Sequence, residues 1–336
     1  MRTNDQAVYR HVVTDAWKLA WRRRSLWPFG FFAALVTTGG IVDVLIRGSG
    51  NIFDAEVSRL SGRVVPSLGE LLRIAGPGTA ANPPVWLIVA AVIGFIMVAA
   101  LLWVAVVSQG ALITGITVAD RHASPKVVLG RGIAMFWPLF AIALVDRLLI
   151  GVVTFAAAVP FGAALAGGNP GTILLYVITY VAFVLISTAV FIIALYAAID
   201  VTVSGSSLVN AVKNATHTFF KHWIVSYEAA LVVFGIDVLV GLALLIGFVL
   251  LLVPTTLFLL MMQVIGTVAG SWLFLTLFGA LLVAWVVGLA SFATTLRYAI
   301  WTLLYERVQS GSVSAKIVRV LRAIPDVFRE AAKHRA

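Results

Sequence analysis

Apolar runs far longer than 18 residues recur along this 336-residue chain, and that feature restricts the fold more than any other. A helix rises about 1.5 Å per residue, so roughly 20 apolar residues cross a hydrocarbon layer about 30 Å thick. Inside such a layer every backbone amide must find its partner within the protein, which leaves helices or closed barrels. Runs of this length read as helices. The chain is 61% hydrophobic and 11% charged, with a mean hydropathy of +1.05, where a soluble domain carries about 25% charged residues. Disorder is excluded on the same grounds. The absence of cysteine removes disulfide scaffolds, thiol catalysis, thiolate metal sites and iron–sulfur ligation together.

Six segments are expected to span, near 26–46, 85–108, 138–163, 172–199, 223–252 and 272–304. The expected fold class is therefore all-α, a polytopic helical membrane protein with six transmembrane helices. Residues 1–25 form a cytoplasmic amphipathic arm, 26–304 the membrane bundle, 47–84 an extracytoplasmic connection, and 305–336 a basic tail helix. The apolar stretch 253–271 stands apart. From Pro254 to Val268 it reaches only about 22 Å as a helix, short for a crossing, so it reads as interfacial or re-entrant.

Charge sets the expected orientation. Of the 24 Lys and Arg residues, 19 fall in the N-terminal arm, in 119–137, in 200–222 and in the tail from Arg297 onward. The other side carries Arg47, Arg59, Arg63 and Arg73, diluted by Asp54, Glu56 and Glu70. By the positive-inside bias both termini are cytoplasmic, and the chain is expected in a bacterial inner membrane. No A-x-A-like cleavage site follows the first apolar run, so no cleaved signal is expected.

An internal repeat is visible at the junctions. Trp27-Pro28 enters the first crossing, Trp137-Pro138 the third and Trp223 the fifth, each after an amphipathic segment at 5–24, 124–136 or 206–221. The even crossings end alike, with an acid four residues before a serine: Asp120 and Ser124, Asp200 and Ser204, Glu306 and Ser310. Serine is a good N-cap and would start the next helix. The acid, unfavourable at a helix C-terminus, would pair with a nearby base such as Arg121 or Arg307. The unit is a surface helix followed by a transmembrane hairpin, repeated three times in parallel.

The tail 312–334 alternates apolar positions (Val313, Ile317, Val320, Leu321, Ile324, Phe328) with Lys316, Arg319, Arg322 and Arg329. That pattern suits anionic lipid headgroups, or docking on the bundle's cytoplasmic ends. No aromatic-interleaved basic groove accompanies it, so nucleic acid is not an expected partner. The expected partners are membrane lipids, with room for a protein or a second copy of the chain.

The entry segment AWKLAWRRRSLWPFGFFAAL (16–35) resembles the N-terminus of uncharacterised polytopic bacterial membrane proteins. The junctions AAIDVTVSGSSLVNAVKNA and LRYAIWTLLYERV are similar to the membrane domain of some glycerophosphoryl diester phosphodiesterases and its stand-alone relatives. The resemblance implies a membrane domain over most of the chain from residue 85. No soluble catalytic barrel is attached, so it carries no phosphodiesterase residue over.

Catalytic and metal motifs are missing from the sequence. The five histidines (His11, His122, His217, His222, His334) form no H-E-x-x-H, and there is no G-x-S-x-G, P-loop or G-x-G-x-x-G. No cofactor, metal or catalytic residue is expected. Charge within the spans is the remaining signal: Asp146 and Arg147 in the third crossing, Glu228 and Asp237 in the fifth, Arg297 in the sixth, Asp43 near the outer end of the first. Each costs a few kcal/mol at mid-bilayer and needs a partner inside the bundle. Arg147 is expected to meet Asp237, and Arg297 to meet Asp146 or Glu228. Three readings follow, in order. The first is a non-enzymatic scaffold or accessory membrane component whose ion pairs fix packing. The second is a transporter of a small solute, ion or lipid along those charges, and the third a lipid-modifying enzyme whose Asp and Arg at shallow depth contact headgroups.

Overall fold

The computed structural model describes residues 8–37, 85–118, 124–167, 170–265 and 268–310. Asp43, the connection 47–84 and the tail carrying Lys316, Arg319, Arg322 and Arg329 lie outside these residues. Within them the chain is helical without strands: α1 Val8–Arg22, α2 Trp27–Thr37, α3 Val85–Thr117, α4 Pro125–Ala134, α5 Phe136–Gly167, α6 Pro170–Ser204, α7 Leu208–Lys221, α8 Trp223–Ile265 and α9 Val268–Gln309. A 3-10 turn, Arg24–Leu26, links α1 to α2.

Five of these helices are long and apolar enough to cross a bilayer, over Ile88–Thr117, Phe136–Ala158, Pro170–Ser204, Trp223–Met261 and Phe274–Gln309. The first expected crossing, 26–46, is described only as far as Thr37. The helices α2, α5 and α8 open at Trp27, Phe136 and Trp223, where the aromatic entry motifs stand.

The stretch 253–271 is not a separate re-entrant element. Residues 253–265 continue α8 and 268–271 open α9. Pro254 removes one backbone donor, leaving the Leu250 carbonyl without its usual helical partner, but no break follows. In an apolar environment continued helix is how the remaining amides are satisfied. The Thr255 and Thr256 hydroxyls turn back onto the Leu251 and Leu252 carbonyls at 2.7 and 2.9 Å. The α8–α9 hairpin is therefore about 60 Å long, roughly twice a hydrocarbon core.

The helix pairs α2–α3, α5–α6 and α8–α9 come together through their second helices, and α2 also lies along α9. The C-terminal halves of α3, α6 and α9 supply the core: Val106, Leu112 and Ile113, then Ile192, Tyr196 and Ile199, then Leu296, Trp301 and Leu304. The opposite halves leave apolar side chains uncovered, with Phe95 of α3 75% and Leu174 of α6 61% exposed. Such a surface is stable only against lipid or another apolar partner. The protein is a multi-pass helical membrane protein with its packed core at one end.

Three short helices close that core end. Helix α4 lies on α3, α7 on α6, and α1 on α9. Each buries residues four apart, which share a helical face: Val12, Ala16 and Ala20 on α1, Val128 and Gly132 on α4, Ala211, Ala215 and Phe219 on α7. Small residues there bring the helix axes close. At Gly132 a Cβ would run into the Val107 carbonyl oxygen and lie 2.9 Å from the Ala111 amide nitrogen. Those atoms belong to the α3 backbone and cannot turn aside. The variant Gly132→Ala is expected to lose about 1–3 kcal/mol, measured as a lowered unfolding midpoint in detergent. Gly130→Ala, whose Cβ would meet open space, should leave that midpoint almost unchanged.

Helix ends are closed in different ways. Ser124 caps α4, its Oγ accepting from the Lys126 amide at 3.3 Å. Ser204 is instead the last residue of α6, because Gly205 at φ +63° turns the chain there, the left-handed conformation typical just past a helix. Arg23 caps α3 from outside, its guanidinium donating to the Gly115 carbonyl and, at 3.0 Å, to the Val118 carbonyl. Arg307 reaches Asp15 at 2.7 Å and ties α9 to α1.

Candidate functional site

Depth on the helices decides which charges meet. Asp237 lies 14 residues after Trp223 and Arg297 lies 12 residues before Gln309. Those offsets are about 21 and 18 Å from the core end of an antiparallel pair. They bond accordingly: Arg297 Nη2 donates to Asp237 Oδ1 at 2.6 Å, with the side chains 20% and 9% exposed. Arg297 Nε is buried without a hydrogen-bond partner.

Two expected pairings are thus corrected. Arg297 meets Asp237, not Asp146 or Glu228. Glu228 is only five residues along α8, about 8 Å from its start, too shallow for Arg297. Arg147 is not the partner of Asp237 either. It sits on α5, which does not pack along α8, whereas α9 is the antiparallel neighbour in the same hairpin.

Asp146 has different surroundings. It borders a cleft of about 110 Å³ between α5, α6 and the start of α7. The other side chains lining that cleft are apolar. Asp146 Oδ1 is buried and makes no hydrogen bond. Arg147, adjacent in sequence, is exposed and interacts electrostatically with it.

The third centre is one that the sequence reading did not place among the site residues. Asp200, on the last turn of α6, is 1% exposed. Its Oδ1 accepts from the Ser204 hydroxyl at 3.1 Å and the Tyr305 hydroxyl at 3.0 Å. Its Oδ2 accepts from Ser206 Oγ at 2.8 Å and Asn214 Nδ2 at 3.2 Å. The Tyr305 hydroxyl in turn accepts from Gln309 Nε2 at 2.8 Å. One carboxyl group thereby joins α6, the turn after it, α7 and α9. Among the described residues its donors are neutral, and no base pairs with it as the junction pattern had suggested. A carboxylate held by several good donors is compensated for burial without a counter-charge.

A second hydroxyl chain, beside the cluster, reaches α8. Ser226 Oγ donates to the His222 carbonyl at 3.2 Å, so the Tyr196 hydroxyl, 3.1 Å away, donates to Ser226. The Tyr196 ring lies tilted by 46° against that of Tyr305, with centroids 5.1 Å apart. Partial burial, with Lys221 and His217 beside it, holds the His222 imidazole below its usual pKa.

Among the described residues no three of His, Asp and Glu gather to hold a metal ion. The arrangement is one of helix-to-helix closure: a salt bridge within one hairpin, a carboxyl group joining three helices, and one cleft with an unsatisfied acid. No protein family's sequence pattern, no curated protein and no solved structure matches this chain.

Proposed function

We propose that the chain is a non-enzymatic component of the bacterial cytoplasmic membrane, a scaffold or accessory subunit presenting a basic cytoplasmic face. The carrying observation is that three of the charged groups within the hairpins are engaged inside the fold, Arg297 with Asp237 and Asp200 with four donors. Charges spent on closure hold helices in place; a conducting path needs groups that exchange partners with solvent.

The cytoplasmic assignment is supported by exposed Lys18, Arg22, Arg24, Lys126, Arg131, Lys213 and Lys221, all on or beside the short helices of the core end. Positive charge collects on that side of bacterial membranes, where it faces anionic headgroups. Lys316, Arg319, Arg322 and Arg329 add to this face in the same reading. The docking of α1 on α9, α4 on α3 and α7 on α6 supports a threefold unit of short helix plus hairpin. The likeness of the later junctions to the phosphodiesterase-attached membrane domain agrees with a non-catalytic membrane role.

Asp237→Asn in reconstituted vesicles separates this reading from transport. The scaffold reading expects lower yield and a lower unfolding midpoint, with proton flux across wild-type vesicles no greater than across empty ones. Wild-type flux that Asp237→Asn abolishes, at unchanged stability, would establish the transport reading instead.

A further inference from the structure

Charge and exposure divide the long helices at one level. No Asp, Glu, Lys or Arg stands between Asp237 of α8 and Arg297 of α9, or between Arg147 of α5 and Asp200 of α6, and α3 has none at all. Among the described residues every charged side chain therefore lies at that level or on its core side. The uncovered apolar side chains lie beyond it: Ile93 on α3, Phe155 on α5, Leu174 on α6 and Leu250 on α8 are 59–77% exposed. Helix α3 passes from exposed to buried just after Trp103. Trp17, Trp21 and Trp27 gather on Phe292 of α9, five residues from Arg297. Indole rings collect in this way at headgroup depth.

The far side has the dimensions of a bilayer. Asp237 to the end of α8 at Ile265 is about 42 Å, Arg147 to the end of α5 at Gly167 about 30 Å, and Trp103 back to Val85 about 27 Å. A hydrocarbon core is about 30 Å thick, or about 40–45 Å with its headgroups. Seating that layer from the core end instead would bring Asp237, Arg297 and Asp146 to mid-depth. It would also leave roughly 30 Å of the α8–α9 hairpin in water, including Leu250, Leu257 and Leu260, which are 54–66% exposed. An apolar surface of that size is not stable in water. Tilting does not rescue it. A hairpin of about 60 Å would need roughly 60° to fit within 30 Å, where spanning helices tilt by about 0–40°.

We propose that the bilayer is seated on the half of the molecule away from the core, with the Asp237–Arg297 pair, Asp146 and Arg147 at the level of one headgroup layer. The core end, built of α1, α4, α7 and the C-terminal halves of α3, α6 and α9, then projects roughly 20 Å beyond the hydrocarbon. Charges expected at mid-bilayer from the sequence thereby meet headgroups and water, where they are far less costly. The seating rests on charge, exposure and length, so it is independent of the scaffold reading and of which side the core end faces.

The test reads depth along α8 with the full chain in phospholipid vesicles. A nitroxide is attached singly at Leu231→Cys, Leu250→Cys or Leu260→Cys, all at exposed positions. Power saturation with oxygen, which partitions into hydrocarbon, and with a water-soluble nickel chelate gives the depth of each. Leu250 lies about 20 Å beyond Asp237, and Leu231 about 9 Å on its core side. The oxygen-to-nickel ratio should therefore be at least tenfold higher at Leu250→Cys than at Leu231→Cys. At Leu260→Cys, about 35 Å beyond Asp237, it should fall back toward the Leu231→Cys value. Ile93→Cys on α3 and Val127→Cys on α4, the first expected in hydrocarbon and the second outside it, repeat the comparison away from the hairpin. A ratio highest at Leu231→Cys, or uniform along α8, would overturn the proposal. So would low collision with both reagents at Leu250→Cys and Ile93→Cys, since protein and not lipid would then cover that half.

Discussion

Replacing Asp237 with alanine is expected to lower the unfolding free energy by about 3–5 kcal/mol, the usual cost of stranding one member of a buried ion pair. The size follows from where Arg297 would be left. Its Nη2 loses its 2.6 Å partner and its Nε already has none, so the guanidinium would sit uncompensated between apolar helices. Reorientation toward the core end recovers part of the loss, because arginine can extend along a helix. The pair itself is a different quantity. Desolvating both charges offsets most of their attraction, so exchanging both for apolar residues of similar volume is often neutral or stabilising. The double variant Asp237→Leu with Arg297→Met should therefore recover most of what Asp237→Ala loses. Equilibrium unfolding of Asp237→Leu, Arg297→Met and the double variant in mixed micelles, followed by tryptophan fluorescence, gives the double-mutant cycle; single and double variants equally destabilised would mean that the pair is incidental to packing.

Asp200→Ala is the second large effect, expected at about 3 kcal/mol, because removing one acceptor leaves buried donors unsatisfied at about 1–3 kcal/mol each. Tyr305, 1% exposed, bears most of it, since Ser204, Ser206 and Asn214 are exposed enough to find water. Asp200→Asn keeps one acceptor but points an NH2 at two donors, so it should recover only part. The damage should also be local. Helix α7 is joined to α6 and α9 through this carboxyl group, so proteolysis in the 204–207 turn should rise in Asp200→Ala well before global unfolding. Tyr305→Phe should cost less, near the lower end of the about 1.5–3 kcal/mol that one hydrogen bond to a charged group contributes. Unchanged cleavage at the turn would remove Asp200 from its place in the fold.

The two carboxylates differ in how readable they were. Asp237 and Arg297 can be matched from sequence by counting residues from the shared end of their hairpin, once α8 and α9 are taken as one antiparallel pair. That signal was present, and treating 253–271 as a separate element concealed it. The helix entries at Trp27, Phe136 and Trp223 were legible because an aromatic at headgroup depth and a change of hydropathy coincide there. So were the short helices, as the segments 5–24, 124–136 and 206–221 that precede each entry. Asp200 was not legible as a junction of helices. Its partners are neutral, and Tyr305 lies 105 residues away; the serine four residues on looked like the cap of the next helix. Gly205 ends α6 one residue later, so Ser204 turns back onto the carboxylate instead. Hydroxyls and amides that converge from three helices leave no charge pattern to find.

The proposed arrangement puts α1, α4 and α7 on one side of the membrane, at the end where α3, α6 and α9 pack. The chain has no cysteine, so single-cysteine variants can be read without background. Lys18→Cys, Lys126→Cys and Lys213→Cys place a thiol on an exposed position of each short helix, and Gly171→Cys places one at the opposite end of α6. A membrane-impermeant maleimide applied to sealed, oriented vesicles should label the three lysine positions from the same side and Gly171→Cys from the other. If Lys126→Cys and Lys213→Cys react from opposite sides, or Gly171→Cys reacts with them, this arrangement of helices is contradicted.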